Sequence, residues 1–163
     1  MQPEYLTAVL TACRANGWHT TLDTSGYAPG KIFHHLIPLT DLFLYDLKHL
    51  DDTVHQRVTG VSNVRILQNL ELLLRSGSQI QIRFPVIPGI NDAPDHLHAL
   101  GRYLSGRGIR QLHLLPYHTI GLDKYKRRGT DYLLSNLKTP SDEHLNEISV
   151  ILSGYHLDVH IGG

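Results

Sequence analysis

The chain has 163 residues, of which 41% are hydrophobic and 18% charged, and its 15 basic side chains balance 15 acidic ones. A chain of this length can bury about two-thirds of the surface that it exposes when unfolded, so we expect one domain over residues 1–163. The balanced charge argues against binding to nucleic acid or to an anionic membrane, and no apolar run approaches the ~20 residues that cross a bilayer.

Helices and strands alternate along the first part of the chain. Apolar residues at helical spacing predict a helix that begins at Pro3 and ends near Gly17. Residues 18–23 have the β-branched and aromatic composition of a strand, and residues 41–46 have the two apolar faces of a buried strand. A short helix that ends at Pro38 connects these two strands.

The same alternation continues to the end of the chain. We expect helices over residues 51–58, 64–75, 93–104 and after Ser141, and strands over residues 79–86, 110–115 and 155–161. Asp92 and Ser141 are predicted helix caps, and Pro85 predicts that strand pairing ends there. Residues 116–140 form a long polar connection.

Alternating strands and helices predict an α/β fold in which parallel strands are joined by right-handed crossovers. Helices on one side of the sheet would make it an arc of a TIM-type (β/α) barrel. Helices on both sides would make it an open, doubly wound sheet. The periodicity alone does not choose between these two architectures.

Polar side chains follow four of the predicted strands, where ligands bind in both architectures. They are Asp23 with Thr24, Asp46 with Lys48, Arg83, and His118. The two carboxylates and the lysine could hold a cation and a ligand carboxylate together, and the arginine adds a fork-shaped donor for an anionic or carbonyl group. The pattern therefore predicts a site for a polar small molecule.

Each of these residues also has a structural alternative. Asp23 could belong only to a strand-ending turn, Asp46 and Lys48 could form a simple ion pair, and His118 could be a hydrogen-bonded loop histidine. The other histidines have no zinc-site spacing, and the basic run at residues 124–128 is typical of a solvated loop.

Five ordered segments resemble the glycyl-radical-enzyme activating proteins of the radical SAM superfamily, of the pyruvate formate-lyase activating enzyme type. The segments are Thr21-Leu22-Asp23-Thr24-Ser25-Gly26, Tyr45-Asp46-Leu47-Lys48, His55 to Asn63, Arg83 to Asp92, and Leu114-Leu115-Pro116-Tyr117-His118. Together they cover nearly the whole chain.

The resemblance implies a partial (β/α)6 barrel that binds S-adenosylmethionine (SAM) and a 4Fe–4S cluster and generates a glycyl radical on a partner enzyme. It places Asp23 and Asp46 beside the methionyl carboxylate and a monovalent cation, with Thr24 assisting. Lys48 and His118 would hold that carboxylate, and Arg83 would line the SAM pocket. A flavodoxin or ferredoxin-type protein would supply the electron.

The chain departs from this family in its cysteines. Members bind the cluster through three clustered thiolates, whereas this sequence contains only Cys13, which can form neither an internal disulfide nor a cluster site by itself. The Gly-Gly-Glu-Pro segment that contacts the SAM amino group is also absent. We therefore expect this chain to be a C-terminal portion of the parent barrel that begins just past that motif and lacks the cluster-binding segment. We expect this portion to be inactive alone.

Further expectations follow from this portion. The opening residues are not a signal peptide, and we expect a cytoplasmic protein. Two missing strands would uncover an apolar inner face and a strand edge, which favours self-association. The alternatives are a non-catalytic interaction module and an unrelated β/α barrel aldolase or isomerase that uses Lys48.

Overall fold

The computed structural model describes residues 2–117 and 139–162 as a parallel sheet with its connecting helices. The helices are α1 (Pro3–Ala15), α2 (Gly30–Leu36), α3 (Asp52–Thr59), α4 (Val64–Arg75), α5 (Pro94–Ser105) and α6 (Asp142–Ser153). The strands are β1 (Thr21–Thr24), β2 (Leu42–Asp46), β3 (Ile80–Val86), β4 (Gln111–Pro116) and β5 (Asp158–Ile161). None of the helices described is long and apolar enough to cross a membrane.

The strands pair in chain order, β1-β2-β3-β4-β5, and every pairing is parallel. When each crossover is right-handed and leads to the next strand, all the connecting helices lie on one face of the sheet. Helix α2 accordingly packs against α4, and α5 against α6. The fold is therefore an α/β arc of a TIM-type barrel, and the doubly wound alternative is wrong.

Alternate strand residues form the core beneath these helices, because successive side chains point to opposite faces. Six of them are completely buried: Phe43, Tyr45, Ile82, Phe84, Leu112 and Leu114. The leucines and isoleucines of α4, α5 and α6 pack on them in one continuous cluster.

We call the opposite side of the sheet the inner face. Strand register places Asp46, Arg83, His113 and His160 in one row across it, from β2 to β5. Half-buried leucines such as Leu44 lie among these polar residues. The described inner face is thus mostly polar, which corrects the apolar face expected from the sequence.

Most predicted helix limits are confirmed. Helix α4 has the predicted limits, and the Ser141 side chain caps α6 by accepting a hydrogen bond from the His144 N–H. Asp92 does not cap α5: the cap position is Ala93, and the Asp92 carboxylate instead accepts the Gly89 N–H at 2.7 Å. The sequence pattern assigned the Asp92 carboxylate to the start of the helix, but the carboxylate instead accepts a hydrogen bond from the Pro-Gly turn that precedes the helix.

Strand β3 does not stop pairing at Pro85, as the sequence suggested, because Pro85 and Val86 are both in register with β4. Backbone groups alternate between the two neighbouring strands. The backbone groups of Arg83 point toward β2, since its carbonyl accepts the Leu47 N–H. Those of Val86 point toward β4, since its carbonyl accepts the Tyr117 N–H. The missing N–H of Pro85 therefore points toward β2, which has already ended at Asp46.

The turn after β1 depends on a close approach between Gly26 and Tyr45. Gly26 has φ +72°, and a Cβ there would lie 1.9 Å from the Tyr45 hydroxyl oxygen. That hydroxyl donates a 2.6 Å hydrogen bond to the Ile66 carbonyl on α4, so the ring cannot easily move away. Only glycine satisfies both the backbone angle and the space.

Replacing this glycine should therefore destabilise the fold strongly. We expect Gly26→Ala to lower the free energy of unfolding by about 3 kcal/mol or more, because left-handed strain adds to a steric clash. Gly17→Ala is the matched control, with φ +70° and nothing within 4 Å of its Cβ, and should cost only about 1 kcal/mol. Equal urea midpoints for the two variants would contradict this account.

The rings of two histidines, His49 and His96, stack on each other near the end of β2. The His49 and His96 rings lie 3.9 Å apart at 9° to each other, and the His96 Nε2 is buried without a hydrogen-bond partner. Burial, with a smaller contribution from His49, lowers the pKa of His96 from 6.5 to about 4. Folding therefore favours the neutral imidazole.

This shift makes stability depend on pH. The unfolded chain binds a proton at His96 near pH 6.5, whereas the folded chain does so only near pH 4, so stability is lost as pH falls through that window. His96→Phe keeps the ring stack and removes the titration. We expect it to abolish about 1–2 kcal/mol of that loss in urea unfolding between pH 6.5 and 4. The same pH dependence in parent and variant would count against the assignment.

Candidate functional site

An ion-pair cluster of Asp23, Asp46, Lys48 and Arg83 lies at the carboxyl end of β1, β2 and β3. The Arg83 Nη2 donates to Asp23 Oδ1 at 2.5 Å and to Asp46 Oδ1 at 2.8 Å, and its Nε donates to the same Asp46 oxygen at 3.0 Å. The Lys48 Nζ donates to the other Asp46 oxygen at 3.1 Å. One guanidinium thus joins carboxylates from two strands.

The sheet itself brings these residues together. Asp46 and Arg83 are in-register partners on β2 and β3, so both side chains stand on the inner face. Lys48 lies two residues beyond Asp46, and the alternation of the extended chain puts it on the same side, as the sequence predicted. The separation of Asp23 from Arg83 in the chain, 60 residues, shows that only the folded sheet forms the cluster.

Two acidic and two basic side chains make the cluster electrically balanced. Burial opposes the charge on Arg83, but the carboxylates of Asp46 and Asp23 outweigh it and raise the pKa of the guanidinium. Asp46 and Arg83 are each 19% exposed, whereas Asp23 is 59% exposed. A lysine ammonium has three N–H donors, and one is used by Asp46, so the cluster can still offer donors and a carboxylate oxygen to a polar ligand.

Two predicted site residues are not part of this cluster. The Thr24 side chain belongs to the helix-facing side with Tyr45, its register partner, and its hydroxyl accepts the Gly26 N–H at 3.0 Å. His118 lies outside the described residues. Within the described ranges, no three or more His, Cys, Asp or Glu side chains are grouped to hold a metal.

Sequence reasoning missed the asparagines that support the site. Asn63, Asn69 and Asn91 are at most 3% exposed, and the side-chain amide of each donates to two backbone carbonyls. The carbonyls belong to Gly26, Ala28, Lys48, His49, Leu50 and Pro85. A polar residue within the apolar stripe of a helix, as Asn69 is on α4, was the available signal.

Asn91 connects the segment after β2, which carries Lys48, with the end of β3, the strand that carries Arg83. Its amide donates to the Lys48 carbonyl at 3.0 Å and to the Pro85 carbonyl at 2.7 Å, and its oxygen accepts the Ile87 N–H at 2.8 Å. The backbone of Lys48 is thereby held against the end of β3, two residues past Arg83.

A second unpredicted contact joins the same turn to α6. His144 Nε2 lies 2.8 Å from Asp92 Oδ2, and the Asp92 carboxylate is only 14% exposed. Since Asp92 also accepts from Gly89, its two oxygens connect the turn after β3 with the start of α6. The rim of the sheet is therefore braced from β1 to α6.

Loss of the Asn91 amide should be costly. Asn91→Ala leaves two carbonyls and one N–H unpaired in a buried place, and we expect a loss of about 3 kcal/mol of unfolding free energy. Asn91→Asp keeps the shape but cannot donate, so it should cost a similar amount. Asn16→Ala, which removes an exposed side-chain bond to the Ala12 carbonyl, is the control and should cost less than about 0.5 kcal/mol. Unfolding midpoints of the Asn91 variants close to that of the control would refute the bracing role.

Comparison with known proteins supports the same architecture. Residues 1–101 match the model of the radical SAM superfamily. The choline trimethylamine-lyase activating enzyme of Oleidesulfovibrio alaskensis is 36% identical, over 99% of this chain and 53% of that protein. The pyruvate formate-lyase 1-activating enzyme of Escherichia coli K12 is 35% identical, over 95% of this chain and 64% of that protein.

The chain thus spans between about half and two-thirds of the length of these relatives. Among solved structures, a domain of a pyruvate-formate lyase-activating enzyme from Bacteroides vulgatus superposes with a TM-score of 0.83 at 29% identity. That superposition covers 99% of this chain and 92% of the solved one, so a domain of nearly the same extent has the same fold.

Proposed function

Because the chain belongs to the radical SAM superfamily, we propose that it is part of an activating enzyme that generates a glycyl radical on a partner enzyme such as pyruvate formate-lyase. The observation that carries the proposal is the cluster of two carboxylates, a guanidinium and an ammonium at one edge of the sheet. The names of the similar proteins support the same type of activity.

The charges of the cluster fit the amino-acid end of SAM. That end carries a carboxylate, an ammonium and a neighbouring sulfonium, so it needs both cationic and anionic partners. Lys48 is proposed to hold the carboxylate, together with His118, and Asp23 and Asp46 to face the positive groups or a monovalent cation beside them. Arg83 binds both carboxylates and is proposed to line the pocket. Thr24 faces the helices, and we propose that it assists only by fixing the turn after β1, where its hydroxyl accepts the Gly26 N–H.

SAM, with a reduced 4Fe–4S cluster, supplies the carbon radical that removes hydrogen from a glycine. The residues of this chain bind and orient the methionyl end for that chemistry. They do not fit the cluster, since three irons need three thiolates and the chain contains one cysteine, half-buried on α1. We therefore propose that this chain alone does not perform the reaction.

The remaining partners follow from the same proposal. A glycyl radical enzyme would be the target, a flavodoxin or ferredoxin-type protein would supply the electron, and the compartment would be the cytoplasm. A non-catalytic module that keeps only the surface for the target is the second candidate, favoured by the single cysteine. Strands β1 and β5 are the outer strands of the described sheet, and such edge strands favour self-association. The family match gives no support to an aldolase or isomerase that uses Lys48.

Binding of SAM to the chain tests the proposal. We expect SAM to shift the NMR amide signals of residues 22–26 and 46–49, and Lys48→Met to weaken the affinity at least about tenfold, because it removes the cation for the carboxylate. Lys31→Met, at an exposed position on α2, is the matched control and should leave the affinity unchanged. Equal affinities in the two variants, or no shifts at millimolar SAM, would overturn the assigned site.

A further inference from the structure

Two adjacent residues of the turn after β3 make contacts in opposite directions. Asn91, which is completely buried, donates to the Lys48 carbonyl at 3.0 Å. Asp92, the next residue, has its Oδ2 at 2.8 Å from His144 Nε2 on α6. A carboxylate is a hydrogen-bond acceptor, so the imidazole Nε2 is the donor in this contact. The turn therefore connects the segment that carries Lys48 with a helix that follows much later in the chain.

Internal hydrogen bonds make this turn a compact unit. Asn91 Oδ1 accepts the Ile87 N–H at 2.8 Å, and Asp92 Oδ1 accepts the Gly89 N–H at 2.7 Å. Since the Asp92 Oδ2 contacts α6, a single carboxylate joins the turn to the helix. Asn91 and Asp92 are neighbours that close the same short turn, so a displacement of one also moves the other.

Lys48 depends on this turn for its position. It lies two residues beyond Asp46, where β2 ends and its register with β3 stops. The Asn91 amide holds the carbonyl of Lys48 past that point, while the Lys48 Nζ lies 3.1 Å from Asp46. A shift of this segment would change where the ammonium meets the carboxylate of a ligand.

We propose that His144 is a positioning residue of the SAM site, because it fixes the Lys48 backbone through Asp92 and Asn91. This inference rests on the proposed function and adds a residue to it. The acidic groups that His144 faces are Asp92 and, at 3.6 Å, Glu147 of its own helix, and neither belongs to the ion-pair cluster. Partners that orient a binding group in this way change affinity without touching the ligand.

The exposure of the two side chains fits such a role. Asp92 is 14% exposed, so a carboxylate that lost its imidazole partner would turn toward water and pull on the turn. His144 is 35% exposed, and the core face of α6 is formed by other residues, Leu145, Ile148 and Leu152. The contact can therefore be removed while the helix keeps its packing.

Calorimetry with SAM measures the affinity, and NMR of the ligand-free chain measures the coupling itself. We expect His144→Ala to weaken SAM binding about fivefold and to shift the amide signals of Lys48 and Asn91 before SAM is added. His144→Gln keeps an N–H donor at similar reach and should restore both properties. In a double-mutant cycle, His144→Ala should have no further effect on affinity once Asp92 is replaced by alanine.

Controls separate this role from a general loosening of α6. Ile148→Val weakens the core contact of the same helix, so it should lower the urea midpoint but leave the affinity and the Lys48 signal unchanged. Glu147→Ala removes the other acidic neighbour of His144 and should also leave them unchanged. If His144→Ala does not fold, His144→Leu, which keeps the volume and loses the donor, should show the same losses.

The inference is overturned if the His144 variants shift the Lys48 signal no more than Ile148→Val does. It is also overturned if the losses from His144→Ala and Asp92→Ala simply add in the cycle. Failure of the proposed function would look different, because the parent chain would then not bind SAM. The signals of Lys48 in the ligand-free variants would still show whether His144 controls that segment.

Discussion

The contacts of Arg83 with Asp23 and Asp46 tie three strands together at the edge where the proposed site lies. The guanidinium is mostly buried, and removing it would leave Asp46 with Lys48 as its cation. A charge pair in such a place gives specificity of arrangement more than stability, because desolvation offsets much of the attraction. Its value here is that all four charged groups are held at fixed distances before a ligand binds.

The charged groups of the cluster stay at fixed distances only if the segments that carry them are rigid. Each of the three buried asparagines donates to two backbone carbonyls near the ends of β1, β2 and β3, so those carbonyls have hydrogen-bond partners within the protein. An asparagine is suited to this task because its amide offers two donors on one short side chain. Helix α4 and the turn after β3 thereby hold the segments that carry the cluster.

Much of this fold could be predicted from the sequence, because apolar periodicity reports the side that faces the helices. The strands, helix α4 and the Ser141 cap are local patterns, and so is the pairing of Asp46 with Lys48. The role of Arg83 depends on Asp23, which no local pattern connects to it. The predictions for Asp92 and Pro85 were wrong for the same reason. Whether Asp92 caps the helix depends on the neighbouring turn, and whether pairing continues at Pro85 depends on the neighbouring strand, and local sequence patterns report neither.

The helix-facing side and the inner face of the sheet are under different constraints, so the side chains of one face can vary without the other. Substitution of Phe84 or Leu112 alters the packing of the helices, so those positions are limited by volume. Arg83 and His113, one position away along the same strands, are register partners on the inner face instead. Inner-face side chains can therefore change without repacking the core. The ion-pair cluster and the helix-facing core share one sheet yet can change independently of each other.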